Sequence, residues 1–412
     1  MDKVSRRRFF GSGAAAVSAV SLISATDPSA GQDTATDEQG ASSPQSDEFR
    51  SKFGREFATD SVHAGENQDE AVTPVHFGNT TNGRYARHGT PTTWAFEEKM
   101  AALEGAEAAM STSCGMAAIT QTLLSLLNQG DRIVRHRCVY GGTRSLMGDE
   151  LSRFGVEEIV VDMRDIAALK ATLQSRPKVI YFEPHSNPTV EVVDVKQIID
   201  LAKQHGVTSI VDNTYLSPYL MQPLRLGADL VLHSATKYIG GHGDCMAGVV
   251  AGNKSMIDNL ESRRNRFGGI LSPHNASLLL RGLKTLPIRM NAHCDNAMRL
   301  AKFLADHPRV RTVRYPGHPS HPEHSIARGQ VNGFGGMLGF VMHGERKSAK
   351  KFCENLRVCK NWTSLGDVKT LISGPHNEDK SAGIPQNYIR ISVGIESARD
   401  ILNDFDQALR AS

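Results

Sequence analysis

Hydrophobic and polar positions follow two alternating patterns from about residue 95 onwards. Apolar residues recur at helical spacing over residues 92–103, 116–127 and 195–205, which predicts three helices, and Gly130 is interpreted as the C-terminal cap of the second. Strands that alternate with helices are typical of an α/β domain whose mostly parallel sheet is covered on both faces. Short runs typical of β-structure predict the strands at 132–134, 158–161, 179–182, 208–211, 230–232 and 248–250.

A leucine-rich helix marks the predicted joint to a second domain. It covers about residues 277–286 and is broken by Pro287, because proline cannot donate the backbone hydrogen bond that continues a helix. We therefore expect a large domain at 91–286 and a smaller C-terminal α/β domain at 287–412.

The N-terminal stretch differs from the rest of the chain. Arg6 and Arg7 precede a weakly apolar run at 11–23, which is too short for a transmembrane helix. This pattern resembles a twin-arginine export signal at 1–30, and the polar stretch at 31–55 is interpreted as a linker. We expect the signal to direct the chain to an exported, periplasmic location. The alternative, an uncleaved tail, would leave the chain in the cytoplasm.

Composition narrows the classes of function. The chain has 412 residues, of which 40% are hydrophobic and 22% charged, and its formal net charge of +3 predicts neither a nucleic-acid nor a membrane partner. The 6 cysteines include no Cys-x-x-Cys pair, so they predict neither a zinc site nor a disulfide framework. His318, His321 and His324 stand among prolines that exclude a regular helix, and we expect no metal site there.

Four side chains with useful chemistry lie just after predicted strands. Tyr140, Asn187, Asp212 and Lys237 each follow a different strand, and ligands of open α/β sheets bind beyond the carboxyl ends of the strands. A pyridoxal cofactor needs such a set: an amine for a Schiff base with its aldehyde, a carboxylate that keeps the pyridine nitrogen protonated, and an aromatic ring that stacks on it. Taken singly, Asp212 is more simply a turn cap and Lys237 a surface lysine. Their shared location favours the cofactor.

A second group of residues suits the phosphate of that cofactor. Phosphates bind hydroxyls and backbone N–H groups, which helix N-termini present. Gly115 and Met116 lie where the second predicted helix opens, and Ser234 and Thr236 flank Lys237.

The segment around Lys237 carries a recognisable motif, Ser234-Ala235-Thr236-Lys237-Tyr238-Ile239-Gly240-Gly241-His242-Gly243-Asp244. It resembles the lysine signature of the Cys/Met-metabolism (trans-sulfuration) family of pyridoxal-phosphate enzymes, which includes cystathionine γ-synthases, cystathionine and methionine γ-lyases, cystathionine β-lyases and homoserine sulfhydrylases. The resemblance covers about residues 57–411 and implies fold type I, as in aspartate aminotransferase, with a large and a smaller domain. Further segments that support it are Tyr85-Ala86-Arg87, Leu103-Glu104-Gly105-Ala106-Glu107, Val139-Tyr140-Gly141-Gly142, Ser186-Asn187-Pro188-Thr189, Val211-Asp212-Asn213-Thr214 and Ile389-Arg390-Ile391-Ser392-Val393-Gly394-Ile395-Glu396.

The resemblance implies a role for each candidate residue around pyridoxal 5′-phosphate. Lys237 would be the Schiff-base lysine and general base, Asp212 would pair with the pyridine nitrogen, and Tyr140 would stack on the ring. Tyr85 and Arg87 would reach the phosphate of a neighbouring subunit from an arm at 56–90, which implies a homo-oligomer, dimer to tetramer, with shared active sites. The phosphate ligands within the chain would be Gly115, Met116, Ser234 and Thr236.

The resemblance also predicts the reaction. Arg390, assisted by Ser364 and Asn187, would bind the α-carboxylate of a sulfur amino acid. The favoured hypothesis is a carbon–sulfur lyase of the methionine or cystathionine γ-lyase type, in which Lys237 and Tyr140 move protons in an α,γ-elimination that gives a keto acid, ammonia and a thiol. The alternatives are a cystathionine γ-synthase or O-acyl-homoserine sulfhydrylase, a cystathionine β-lyase, and an exported protein that keeps the fold as a binding module.

Two segments depart from the pattern of the family. A glutamate usually precedes the serine at position 364 in the cystathionine γ-enzymes, whereas this chain has Thr363. After Leu371 the family usually has a histidine-containing segment that lines the substrate site. This chain has a shorter one, Ser373-Gly374-Pro375-His376-Asn377-Glu378-Asp379-Lys380. Both departures leave the side chain of the substrate open.

Overall fold

The structure is a computed structural model that describes residues 55–67, 70–81 and 84–412. The predicted export signal at 1–30 and the predicted linker, apart from Arg55, lie outside the described residues. Within those ranges, no helix has both the length and the apolar character that crossing a bilayer requires.

Helices and strands alternate along most of the described chain. The α-helices are α1 Phe57–His63, α2 Pro91–Glu104, α3 Gly115–Leu126, α4 Gly141–Ser145, α5 Ile166–Leu173, α6 Val195–Gln204, α7 Ser217–Leu220, α8 Lys254–Phe267, α9 Pro273–Leu283, α10 Leu286–Asp306, α11 His324–Gln330, α12 Arg346–Asn355 and α13 Ala398–Arg410. The strands are β1 Thr80–Thr81, β2 Arg84–Tyr85, β3 Ala108–Thr112, β4 Arg132–His136, β5 Glu157–Val161, β6 Val179–Phe182, β7 Thr208–Asp212, β8 Leu230–His233, β9 Gly248–Gly252, β10 Val310–Arg314, β11 Met337–Met342, β12 Lys360–Asn361, β13 Leu371–Ser373 and β14 Tyr388–Ser392.

The larger sheet has seven strands in the order β3-β9-β8-β7-β6-β4-β5. The strands β4 to β8 are parallel, whereas β9 runs antiparallel to both of its neighbours. Every residue of β6, β8 and β9 is buried, as expected for strands that are covered on both faces. The predicted mostly parallel sheet is confirmed, and each of the six predicted strands is present within two residues of its predicted bounds.

Side-chain caps fix the starts of the helices that cover this sheet. The Thr90 hydroxyl accepts a hydrogen bond from the backbone N–H of Thr93, and the Thr93 hydroxyl accepts one from the backbone N–H of Thr90. The two bonds form a capping box before α2. Asp194 caps α6 in a similar way. Because these caps satisfy N–H groups that have no partner inside the helix, the local sequence determines where each helix begins.

The smaller sheet is C-terminal and has five strands in the order β10-β11-β14-β13-β12. The pairs β10–β11, β11–β14 and β13–β14 are antiparallel. Phe340 of β11 packs against Phe352 of α12 and Phe405 of α13, with ring centroids 5.5 and 6.4 Å apart. This core holds β14, the central strand of the sheet, and Arg390 of β14 reaches Asn187 in the turn after β6 of the larger sheet.

Two predicted helix ends were wrong. Gly130 does not cap α3, because Leu127 already has an extended backbone and ends the helix; Gly130 lies in the following turn, where its N–H bonds the carbonyl of Gly155. Pro287 does not break the leucine-rich helix, since α9 ends before it. Pro287 lies in the first turn of α10, where the missing N–H of proline is not needed.

Ring nitrogens of the histidine-rich turn lie at hydrogen-bond distance from backbone carbonyl oxygens. His321 is buried, and its Nε2 lies 3.0 Å from the carbonyl oxygen of Val190. The Nδ1 of His324 lies 2.7 Å from the carbonyl oxygen of Pro316. In the part of the chain that the structure describes, no group of His, Cys, Asp or Glu side chains is arranged to hold a metal ion.

Candidate active site

A cavity of about 390 Å³ opens at the carboxyl ends of the parallel strands. Its lining includes the turns after β4, β6, β7 and β8, the start of α3, and the segment 363–365 of the C-terminal part of the chain. Cavities of roughly 300–1,000 Å³ are usual for small-molecule sites. The structure brings together all the predicted site residues except Tyr85 and Arg87, namely Lys237, Tyr140, Asp212, Gly115, Met116, Ser234, Thr236, Arg390, Ser364 and Asn187.

Lys237 lies in the turn after β8. Its ammonium group donates a hydrogen bond of 2.6 Å to the hydroxyl of Ser364. Burial, and then the positive charge of Arg390, lower the pKa of Lys237 to about 8. Because only the neutral amine acts as a nucleophile or a base, the cavity brings Lys237 closer to its reactive form.

Asp212 is the last residue of β7 and is buried. Its Oδ1 accepts the backbone N–H and the hydroxyl of Thr214 at 3.1 and 2.5 Å, and its Oδ2 accepts the hydroxyl of Tyr181 at 2.8 Å. Burial raises the pKa of Asp212, and the hydrogen bonds from Thr214 and Tyr181 oppose that rise. A carboxylate that is held in place and still has a free lone pair is suited to pair with a protonated ring nitrogen.

Glu183 is a functional candidate that the sequence reasoning missed. One of its carboxylate oxygens accepts the backbone N–H of Tyr140 at 2.7 Å, and the other accepts that of Asn187 at 3.0 Å. Burial, followed by the negative charge of Asp212, raises the pKa of Glu183 well above its usual range. A signal was present, since Glu183 directly follows β6 just as other candidates follow their strands.

Arg390 reaches the cavity from β14. It donates a hydrogen bond of 3.1 Å to Oδ1 of Asn187 and one of 2.7 Å to the carbonyl oxygen of Ser364. Ser364 has a φ of 83°, a left-handed conformation that is unusual for a residue other than glycine. The Nε of Arg390 is buried without a hydrogen-bond partner among the described residues. The guanidinium is therefore oriented by two neighbours and keeps a donor for an anionic ligand.

The start of α3 forms the anion-binding side of the cavity. The helix begins at Gly115 with Cys114 as its cap, and the N–H groups of its first turn favour a negative charge. A Cβ at Gly115 would lie 2.7 Å from the Cβ of Ser234, so only glycine lets the two segments approach this closely. The Thr236 hydroxyl accepts the N–H of Ala247 at 3.0 Å and donates to its carbonyl at 3.2 Å. The N–H groups at the start of α3 fit a phosphate-bearing cofactor, whereas the Thr236 hydroxyl donates its proton to the Ala247 carbonyl in this structure.

Three of the predicted residues are exposed. Tyr140 lines the cavity and is 48% exposed, so its ring borders the opening. Tyr85 is 50% exposed and does not line the cavity of its own chain. The guanidinium of Arg87 lies 5.2 Å from the centroid of the Tyr85 ring, a cation–π distance.

His185 also lines the cavity and was missed. It is buried, and its Nε2 has no hydrogen-bond partner in the described part of the chain. Burial, and then the nearby His321, lower the pKa of His185 to about 3, so the ring is neutral at neutral pH. No feature of the sequence indicated a buried histidine here.

Comparison with known proteins gives the family. The model of the family described as "Cys/Met metabolism PLP-dependent enzyme" matches residues 57–410. An L-methionine gamma-lyase of Pseudomonas putida is 42% identical over 339 residues, which are 80% of this chain and 85% of that protein. A cystathionine gamma-lyase of Bacillus subtilis is 43% identical over 342 residues, 81% of this chain and 90% of that protein.

A solved structure gives the same result. The chain superimposes with a TM-score of 0.84 and 36% identity on a cystathionine gamma synthase from Xanthomonas oryzae pv. oryzae, solved in complex with aminoacrylate and cysteine. The match covers 87% of this chain and 98% of that one. The predicted fold type I and the predicted cofactor are confirmed. The chain therefore belongs to the Cys/Met-metabolism family of enzymes that depend on pyridoxal 5′-phosphate.

Proposed function

We propose that this chain is a carbon–sulfur lyase that acts on a sulfur amino acid and releases a keto acid, ammonia and a thiol by α,γ-elimination. One observation carries the proposal: Lys237 bonds the hydroxyl of Ser364, and Arg390 bonds the carbonyl of the same residue. An amino acid whose α-carboxylate is bound by Arg390 can therefore present its α-carbon to Lys237. Relatives named methionine and cystathionine γ-lyase support the reaction type.

The same cavity is proposed to hold the cofactor. Pyridoxal phosphate, when bound, supplies an electron sink for negative charge at the α-carbon of the substrate. Lys237 would hold it covalently, Asp212 would accept the hydrogen bond of its ring nitrogen, and Tyr140 would stack on its ring. The phosphate would lie at the start of α3, among Gly115, Met116, Ser234 and Thr236.

Proton transfer is assigned to two residues of the chain. Lys237, once its amine is free and neutral, removes the proton from the α-carbon. A γ-elimination needs a second proton to move at the β-carbon, and Lys237 and Tyr140 are assigned to that step. Arg390 and Asn187 hold the carboxylate meanwhile, so the substrate keeps its orientation.

The remaining wall of the cavity favours an uncharged leaving group. The lining residues of the Asp, Glu, Lys and Arg types are Glu183, Asp212, Lys237 and Arg390, and each already has a hydrogen-bond partner or a proposed role at the cofactor or the α-carboxylate. No other Asp, Glu, Lys or Arg lines the cavity in the described part of the chain, so the distal ammonium of cystathionine would lack a counter-ion. Methionine and homocysteine fit better. The uncharged residues that line the rest of the cavity include Ile119, Met246, Thr363, Leu365 and Ser373.

A transferase remains the second candidate. The structural match to a cystathionine gamma synthase, at a TM-score of 0.84, favours it. A γ-synthase or sulfhydrylase would use the same lysine and arginine and differ in the group that attacks the γ-carbon.

A substrate panel separates the two candidates. Purified enzyme with its cofactor is incubated with methionine, homocysteine and cystathionine, and separately with O-acyl-homoserines with and without a thiol. We expect ammonia and keto acid from methionine and homocysteine alone. Product that forms only when an acyl-homoserine and a thiol are both present would establish the transferase and overturn the lyase.

A variant tests the proposed preference. Thr363→Glu places a carboxylate beside Ser364, where it can pair with the distal ammonium of cystathionine. The variant should raise the ratio of kcat/KM for cystathionine over methionine by about tenfold. A surface ion pair is worth up to about 1 kcal/mol, and more when it is partly buried. Thr363→Gln, which has the same shape and no charge, is the matched control. Equal ratios in the two variants would show that charge at this position does not select the substrate.

Oligomeric state and location are proposed with the activity. We propose a homo-oligomer, dimer to tetramer, in which Tyr85 and Arg87 reach the cofactor of a neighbouring subunit; their exposure outside the cavity of their own chain supports this. The twin-arginine signal at 1–30 stays a prediction. Fractionation of cells that express the wild type and an Arg6→Lys, Arg7→Lys double variant tests it, because only the wild type should reach the periplasm.

A further inference from the structure

A small hairpin lies in the segment that departs from the family pattern. Asp379 and Ile384 exchange two backbone hydrogen bonds, each of 2.9 Å, and close the turn that we call the 379–384 hairpin. The Oδ1 of Asp379 accepts the hydroxyl of Ser381 at 2.6 Å and the N–H of Ala382 at 3.1 Å. The hairpin is therefore an ordered element, and it follows Ser373, which lines the cavity.

One contact of this hairpin lies just after Tyr140 in the sequence. The Nη1 of Arg144, in α4, donates a hydrogen bond of 3.0 Å to the free oxygen Oδ2 of Asp379. The hydroxyl of Ser381 and then Arg144 hold the pKa of Asp379 at about 2, so the carboxylate is charged at every working pH. The two residues are 235 positions apart, and the pair connects the hairpin to the helix that Tyr140 begins.

Other contacts lie just before Tyr140. Cys138 belongs to a small buried apolar cluster whose other members include Ala382 and Ile384 of the hairpin. Gly383 has a φ of 67°, and a Cβ there would lie 2.2 Å from Nη1 of Arg137. The hairpin thus packs against the chain on both sides of Tyr140.

The segment that carries Tyr140 needs such support. Helix α4 is the first turn of a longer helical segment, which continues as a π-helical turn at Leu146–Glu150 and a 3-10 turn at Leu151–Phe154. This first turn begins with Gly141 and Gly142 and has no side-chain cap. An uncapped first turn with two glycines frays easily, because its N–H groups lack partners inside the helix and glycine adds conformational entropy to the unfolded segment. Glu183 holds the N–H of Tyr140 from one side, and the hairpin holds the rest of the segment from the other.

We propose that the 379–384 hairpin is a clamp that positions Tyr140 over the active site, with Arg144 and Asp379 as positioning residues. This inference rests on the proposed role of Tyr140 in proton transfer. The hairpin comes from the C-terminal part of the chain, as does Arg390, so the clamp sets the distance between the phenol and the bound carboxylate. A misplacement of about 1 Å at a reacting group can cost about 100-fold in rate.

Hydrogen exchange tests the clamp without relying on activity. In Arg144→Met, which keeps the aliphatic stem and loses the charge, we expect the backbone amides of residues 138–145 to exchange about fivefold or more faster than in the wild type, in both the cofactor-free and the cofactor-loaded protein. Asp379→Asn is a second, milder variant, since the amide oxygen can still accept Ser381 and Ala382. Arg153→Met is the matched control, because Arg153 pairs with Glu150 on the exposed surface.

Kinetics test the consequence for the reaction. We expect kcat for methionine to fall about tenfold in Arg144→Met with KM changed less than about twofold, since Arg390 still binds the substrate. Arg144→Lys keeps one charged donor and should restore most of the lost rate. A loss of rate through general destabilisation would instead lower kcat in Arg144→Lys as well.

The outcomes separate the clamp from the proposed function. Unchanged exchange at 138–145 in both Arg144→Met and Asp379→Asn would overturn the clamp, and so would faster exchange with an unchanged kcat. If the wild type released no keto acid from any sulfur amino acid, the proposed lyase would fail, and the exchange experiment would still decide whether the hairpin holds the segment.

Discussion

The candidate active site has two halves that are built differently. The cofactor half lies at the ends of regular elements: Asp212 ends a buried strand, Gly115 opens a helix, and Lys237 lies in the short turn after β8. The substrate half consists chiefly of the irregular segment 363–366 of the C-terminal part, where Ser364 has a φ of 83°; the 379–384 hairpin belongs to the same part and lies outside the cavity lining. Regular elements hold groups in fixed geometry, whereas loops accept changes of sequence at little cost to the fold.

The difference indicates how one scaffold serves several reactions. Groups that every reaction of the family requires lie in the cofactor half, so their positions follow from the strands. Groups proposed to contact the side chain of the substrate lie in irregular segments, which can change in sequence at little cost to the fold. A change in the first half should therefore abolish cofactor chemistry, and a change in the second should alter substrate handling while the cofactor stays bound.

The largest effect is expected at Lys237. Lys237→Ala should lower kcat by about 1,000-fold or more, because it removes the proposed general base and the proposed covalent attachment of the cofactor. Absorption spectra before and after borohydride, with peptide mapping, check this: in the wild type the reduced cofactor should be found on the Lys237 peptide. Lys99 is a built-in comparison, because burial also lowers its pKa to about 8 but its ammonium bonds the carbonyls of Ser61 and Val62. Labelling of Lys99, or full activity in Lys237→Ala, would contradict the assignment.

The next effect is expected where the two halves meet. Arg390→Lys should lower kcat/KM by about 100-fold, since lysine cannot make the paired contact and each hydrogen bond to a charged group is worth about 1.5–3 kcal/mol. The visible absorption of the bound cofactor should stay as in the wild type. Loss of the cofactor from Arg390→Lys would show that the two halves are not separable.

A smaller effect is expected at the start of α3. Gly115→Ala should weaken cofactor binding by about tenfold, because the new Cβ forces Ser234 away and overpacking costs about 1–3 kcal/mol. Titration of the cofactor-free protein measures the affinity. Gly329→Ala is the matched control, since a Cβ at this helical glycine meets no atom within 4 Å. The ratio of kcat/KM between methionine and homocysteine should not change, and a changed ratio would contradict the division into halves.

The same division explains what the sequence could predict. Strand ends can be predicted from a sequence, so the shared location of Asp212 and Lys237 could be predicted, and the same rule could have pointed to Glu183. The contact between Arg144 and Asp379 joins residues 235 positions apart, and no local pattern encodes it. Nor does composition reveal that Ser364 adopts a left-handed backbone, because surrounding contacts impose that conformation. The residue types at strand ends can therefore be predicted from the sequence, whereas contacts that depend on packing between distant segments cannot.

The smallest effect concerns the pH at which the cofactor half becomes reactive. The pKa of Lys237, about 8, lies below the usual 10.5 because burial disfavours the charged amine. Below pH 8 most of the amine is protonated, and it becomes neutral as the pH rises through 8. The rate at which cofactor-free protein takes up pyridoxal phosphate should therefore rise about fivefold from pH 7 to 8 and less than about twofold from pH 8 to 9. Stopped-flow absorbance measures this rate. A rate that kept rising tenfold per pH unit up to pH 10 would mean that Lys237 has the pKa of an exposed lysine. The cofactor half would then not lower the pKa of the amine before the cofactor binds.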